Sequence, residues 1–118
     1  MSGLIVHIAR EAEWHEAKGI GEYAPSTLPR DGFIHLSRPE QAHLPANALY
    51  SGQRDLVLLW VDPTRLRAEL RYEAPEPGAP QFPHLYGPLN VDAVVSETRL
   101  DPWQRGAFTL PAAPQDID

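Results

Sequence analysis

The chain has 118 residues, the size of one modal domain, and is long enough to bury a core without disulfide or metal staples. It contains no cysteine, which excludes a disulfide framework, a thiolate nucleophile and a cysteine zinc site, and fits a reducing cytosol. Ten Lys and Arg against sixteen Asp and Glu give a formal charge of -6, which disfavours a phosphate backbone as partner.

Met1 to His7 has no basic region, and no stretch approaches the roughly 20 apolar residues of a membrane span. The chain therefore reads as cytoplasmic, with no membrane partner. Leu4 to Ile8 is a β-branched run that predicts a first strand, with Ile5 and His7 on one face and Leu4, Val6 and Ile8 on the other. Glu11 to Lys18 predicts a helix, opened by acidic residues and closed by Lys18 and Gly19. Gly19, Gly21, Pro25 and Pro29 mark a long irregular connection.

Gly32 to Leu36 predicts a second strand in which Phe33, His35 and Ser37 share a face. Ser37-Arg38-Pro39-Glu40 has the form of a capping box, with Ser37 as N-cap and Glu40 at N3, so a helix is expected there, interrupted at Pro45. Asp55 to Val61 is nearly continuous apolar sequence and predicts a central strand covered on both faces. After a turn at Asp62-Pro63-Thr64, Leu66, Ala68, Leu70 and Tyr72 alternate with charged residues as in a half-buried strand. Ala74 to Gln81 is a Pro/Gly-rich loop, and Tyr86-Gly87-Pro88 reads as a turn. Val91 to Val95 predicts another strand, extended through Thr98 and Leu100. A short element is expected within Trp103 to Leu110, giving one domain over residues 1–110 and a flexible tail over 111–118.

Histidine titrates nearest working pH and can accept, donate or ligate, so the five histidines are the first candidates for chemistry. His15 and His43 lie in charged or exposed helical segments and read as surface residues. His7, His35 and His84 each interrupt or adjoin apolar sequence, where an unpaired polar group would cost a few kcal/mol. Each alone is explained by a bond to backbone. Three together point to a shared polar cleft. Ser37 has the structural reading of a cap. Tyr86 offers a ring for stacking on a planar ligand, Glu73 a carboxylate able to act as acid, base or hydroxyl acceptor, and Asp92 a structural role. No Gly-rich phosphate loop, His-Glu-x-x-His or Gly-x-Ser-x-Gly is present, and no local ligand spacing supports a metal held by His7, His35 and His84.

The strings Gly32-Phe33-Ile34-His35-Leu36-Ser37 and Phe82-Pro83-His84-Leu85-Tyr86-Gly87-Pro88-Leu89-Asn90 carry a family resemblance. With Val6-His7-Ile8, Trp14 through Gly19, Tyr23, Ser26, Leu28, Gln41, Tyr50, Asp62, Leu66 and Tyr72-Glu73, the chain resembles domain of unknown function 952 over nearly residues 3 to 100. That family is distantly similar to the ADP-ribosyltransferase fold. The resemblance implies an α+β architecture of two small, mostly antiparallel sheets around a cleft, with two or three flanking helices and NAD as a possible substrate. It implies His7 and His35 as the reactive pair, His7 orienting ribose and His35 contacting the base or transferring a proton, with His84 on the cleft wall and Ser37, Glu73, His84, Tyr86 and Asn90 binding ligand. The segment in which the resemblance would place a transferase glutamate, Leu85 to Val91, has no carboxylate, and Asn90 is its nearest polar residue. The expectation is thus an NAD- or nucleotide-binding enzyme, transferase or glycohydrolase, with a noncatalytic ligand-binding or regulatory module as the alternative and a histidine-metal hydrolase third. Related RNA 2'-phosphotransferases share a similar histidine pattern, but the acidic charge argues against an RNA substrate.

Overall fold

Ile5–Arg10 forms β1, and its alternation divides the molecule: Ile5, His7 and Ala9 face one side, Val6 and Ile8 the other. These assignments come from a computed structural model that describes residues 3–41 and 55–100. Helix α1, Glu11–Ile20, follows directly, with Glu11 and Glu13 in its first turn and Trp14 and Ala17 buried. It ends two residues later than the Lys18-Gly19 pair suggests. Gly21, in the left-handed region at φ 100°, closes it by donating its N–H to Ala17 O.

The connection after Gly21 is more ordered than its Gly and Pro content predicts. It holds strand β2, Glu22–Tyr23, and the short helix α2, Thr27–Asp31. Pro29 is tolerated because it lies in the first turn, where no intrahelical N–H is needed. Gly32 at φ 83° then turns the chain into β3, Ile34–His35.

Strand β4, Leu56–Val61, is buried along its whole length and is the centre of the first sheet, in the order β1-β4-β8 with both pairings antiparallel. Both faces are covered, as its unbroken apolar sequence predicts. Val57, Leu59 and Val61 join Ile5, Ala9, Trp14, Tyr23 and Leu85 in the main core. Leu56, Leu58 and Trp60 join Val6, Ile8 and Leu100 in a second cluster on the far face.

The second sheet has the order β3-β6-β5, again antiparallel, with β5 at Glu69–Glu73 and β6 at Phe82–Tyr86. In β5, Leu70 packs against the main core but Tyr72 is exposed, which corrects the expectation that both are half-buried. The 82–86 segment, with a proline inside it, gives little sign of being a central strand. Pro83 has a specific consequence. Its carbonyl accepts the Leu36 N–H at 2.9 Å but it has no N–H to return, so pairing with the β3 segment stops there. The chain then crosses to β1, where Ser37 and Val6 exchange two backbone bonds of 2.8 Å each. This seam joins the two sheets.

Two expectations are corrected. The Ser37 capping box is not formed: the Ser37 backbone is committed to Val6, and the described part of the expected helix is a 3-10 turn at Pro39–Gln41, with Gln41 Oε1 accepting the Arg38 N–H. The predicted strand starting at Val91 begins later. Leu89–Asn90 forms β7, which pairs with β2, Val91–Ala93 is a 3-10 turn, and β8 spans Val94–Leu100. The kink at Pro45, His43, the 103–110 element and the 111–118 tail lie outside the described residues. Among the described residues, no helix is long and apolar enough to cross a membrane.

Candidate functional site

The period-two pattern of β6 sends Pro83 and Leu85 inward and presents Phe82, His84 and Tyr86 on the opposite face. Cross-strand register adds Glu69, Arg71 and Glu73 of β5 opposite Tyr86, His84 and Phe82, and places His35 of β3 opposite His84. One sheet face thus gathers two histidines, three carboxylates counting Asp31, an arginine and two packed aromatic rings.

Glu73 organises this face. Its Oε1 accepts from Tyr86 Oη at 2.5 Å and from His84 Nδ1 at 2.9 Å. Those two donors hold the Glu73 carboxyl below its ordinary range, and the same bond pushes the Tyr86 phenol up. A carboxylate only accepts, so the neutral His84 ring carries its proton on Nδ1 and keeps Nε2 as the basic nitrogen. The ring lies stacked on Phe33, centroids 4.1 Å apart and planes 20° apart, which fixes its orientation. Arg71 caps the Tyr86 ring at 4.5 Å while its guanidinium bonds Glu69 at 2.8 Å.

His35 is the second imidazole. Its ring centroid lies 5.4 Å from that of His84, and its Nε2 lies 3.3 Å from Asp31 Oδ2, which brings helix α2 to the site across the Gly32 turn. Partial burial lowers the His35 pKa, the neighbouring His84 lowers it further, and Asp31 partly offsets both. Asp31 is itself held below the ordinary carboxyl range by Arg30. The arrangement is two carboxylate-held imidazoles side by side, a geometry able to accept a proton with one ring and donate with the other.

His7 does not belong to this face. Its ring points into the core, where Nδ1 donates to the His35 carbonyl at 2.6 Å and Nε2 accepts from Tyr23 Oη at 2.9 Å. The carbonyl can only accept, which fixes the proton on Nδ1. Both nitrogens are satisfied in the neutral form, and burial pushes the pKa down to about 4. The expected His7–His35 reactive pair is therefore corrected: the two residues are joined through a backbone carbonyl, and the side chain beside His35 is His84. A metal trio of His7, His35 and His84 is not assembled, and among the described residues no group of three or more His, Asp or Glu side chains is placed to hold a metal ion.

Ser37 is buried in the seam. Asn90 is also interior: Nδ2 donates to Arg65 O at 2.9 Å and to Asp92, while Oδ1 accepts the Arg67 N–H at 3.1 Å, so it locks the segment ahead of β5. The structure brings together His35, Glu73, His84 and Tyr86, and leaves His7, Ser37 and Asn90 as internal supports. Sequence reasoning missed Asp31, Phe33 and Arg71 at the site and Tyr23 behind it. Phe33 could have been found from its alternation with His35; the other three depend on turns and cross-strand register. A depression of about 370 Å³ lies elsewhere, between α1 and β2, lined by Glu13, Glu16, Ile20, Glu22 and Tyr23.

A family described as "Protein of unknown function (DUF952)" matches residues 8–97. The crystal structure of protein CC0527 from Caulobacter crescentus is 42% identical, with a TM-score of 0.81 over 90% of this chain and 93% of that one. The solution structure of the same protein gives 43% identity and a TM-score of 0.74 over 88% and 90% of the two chains. No curated protein matches.

Proposed function

We propose, for a chain that belongs to the DUF952 family of proteins of unknown function, that the exposed face of the second sheet is an acid–base site for a small nucleotide-type ligand. The observation that carries this is the pair of imidazoles 5.4 Å apart, one held by Asp31 and the other by Glu73. His35, whose pKa is lowered, serves as proton acceptor. His84, an ion pair with Glu73 when protonated, serves as donor. Phe33 and Tyr86 frame the face, and Tyr86 offers an aromatic edge to a planar base.

An ADP-ribosyltransferase-like architecture is part of the same reading, supported by two three-stranded antiparallel sheets, accompanied by the two-stranded β2-β7 pair and joined at the Val6–Ser37 seam, with histidines on β1 and β3. NAD-related compounds are therefore among the ligands to test. In this reading His7 acts from behind by fixing the His35 backbone. The formal charge of -6 favours a small ligand over a nucleic acid, and the cysteine-free sequence suits a cytoplasmic setting.

The test is titration calorimetry with NAD, ADP-ribose, nicotinamide and AMP, with the imidazole resonances followed by NMR. Heat of binding with shifts at His35 and His84, and none at His15, is the expected result. Absence of both at millimolar ligand refutes the proposal. A noncatalytic module is the second reading, favoured because two donors already occupy both lone pairs of Glu73 Oε1. Binding without turnover, preserved in His35→Ala, would establish it.

A further inference from the structure

We infer that the bond broken at this face is a phosphoester bond of a small ribonucleoside cyclic phosphate, opened by water with His35 and His84 as base and acid. The inference rests on the acid–base reading above and deepens it by naming the bond.

Cleavage of an N-glycosidic bond develops positive charge on the ribose, which calls for an uncommitted anion beside it. Each carboxylate at the histidines is already shared with a second side-chain donor. Glu73 Oε1 holds Tyr86 and His84, and Asp31 takes two bonds from Arg30, at 2.9 and 3.2 Å, besides facing His35. What the face offers is two proton-transfer groups at one place. Substitution at phosphorus uses such a pair, because the entering and leaving oxygens lie on opposite sides of the phosphorus and need a base and an acid at once.

Charge points the same way. Arg30 and Arg71 offset two of the three carboxylates Asp31, Glu69 and Glu73, so in a chain of formal charge -6 this face is close to neutral toward a monoanionic phosphodiester. Longer polyanions would meet the acidic remainder of the surface. A compact, internally strained cyclic ester needs no further binding surface.

In the step itself, neutral His35 takes a proton from water and the water oxygen forms a bond to phosphorus. The phosphorus bond to one ribose oxygen breaks, and that oxygen takes the proton held by His84. The products are a nucleoside phosphomonoester with one freed ribose hydroxyl, and the two imidazoles return to their starting states by exchange with solvent.

The experiment incubates the full chain with adenosine 2',3'-cyclic phosphate, and in parallel with NAD, following 31P NMR for conversion and imidazole NMR for binding. The inference expects conversion to the phosphomonoester, slowed about 100-fold or more in His35→Gln and in His84→Gln. The wild-type rate should be bell-shaped in pH and each variant should lose one limb. The groups facing the pair that shape this profile are Asp31, Glu73, Tyr86, Arg30, Arg71 and Glu69. Imidazole shifts without conversion overturn the phosphoester inference and leave the acid–base site standing, as does nicotinamide release from NAD alone. Neither binding nor conversion overturns both. Conversion undiminished in the His35→Gln/His84→Gln double variant also overturns it.

Discussion

Burial of His7 makes the stability of this protein depend on pH in a calculable way. The ring is 6% exposed, bonded at both nitrogens in its neutral form, and has a pKa pushed down to about 4 from an unfolded value of 6.5. Between those values the unfolded chain binds the proton and the native protein does not, so stability rises with pH through this window. The native advantage is fully present above pH 6.5 and is lost as pH falls toward 4. From the two pKa values, one site with this shift loses about 3 kcal/mol between pH 7.5 and pH 4, and about 2 kcal/mol of it is gone by pH 5. His35, also lowered, adds a smaller effect of the same sign. The assay is urea unfolding across pH 4 to 7.5 for the wild type and for His7→Gln, which cannot ionise. At high pH the variant is the less stable, because glutamine cannot reproduce both bonds in the ring's positions. At low pH the gap closes by about 3 kcal/mol, since only the wild type is being protonated. Parallel pH profiles for the two proteins, or a His7 resonance titrating near 6.5, would refute the argument.

Glu73→Gln removes the anion that accepts from Tyr86, so the tyrosine's ultraviolet titration should move down toward the ordinary phenol value; an unmoved midpoint would show that the bond does not hold in solution. Gly87 sits at φ 153°, and an added Cβ would stand 2.9 Å from Ala68 Cβ. Gly87→Ala should therefore lower stability by about 1–3 kcal/mol in urea melts. The tryptophans should differ. Trp14 Nε1 donates to Glu97 at 2.9 Å, whereas buried Trp60 Nε1 has no partner among the described residues. Trp14→Phe should cost about 1 kcal/mol more than Trp60→Phe, and equal losses would show that the Glu97 bond contributes nothing net.

The elements that were legible are those whose signal is local. β1, β4 and the start of α1 follow from β-branched or apolar runs and from acidic residues at a helix start, because strand and helix periodicity act within a few residues. Ser37 shows how tertiary structure overrides a local signal. Its capping motif is sound, but its N–H and carbonyl form two 2.8 Å bonds to Val6 instead. β6 was hidden by Pro83, which ordinarily argues against a central strand. It survives because the β3 segment leaves the sheet at that residue.

By itself the sequence determined that this is an α+β chain with a buried central strand, and that His7, His35 and His84 occupy positions where each must find a partner. Composition and alternation suffice for that, since burial and side-chain direction are local consequences of the pattern. Which histidines meet was decided only by the tertiary structure. Period-two alternation fixes the face of its own strand to which a side chain points, but not which strand lies alongside. The β3–β6 register set His35 beside His84, the β5–β6 register supplied Glu73, and the facing of β1 onto the core turned His7 into an internal support.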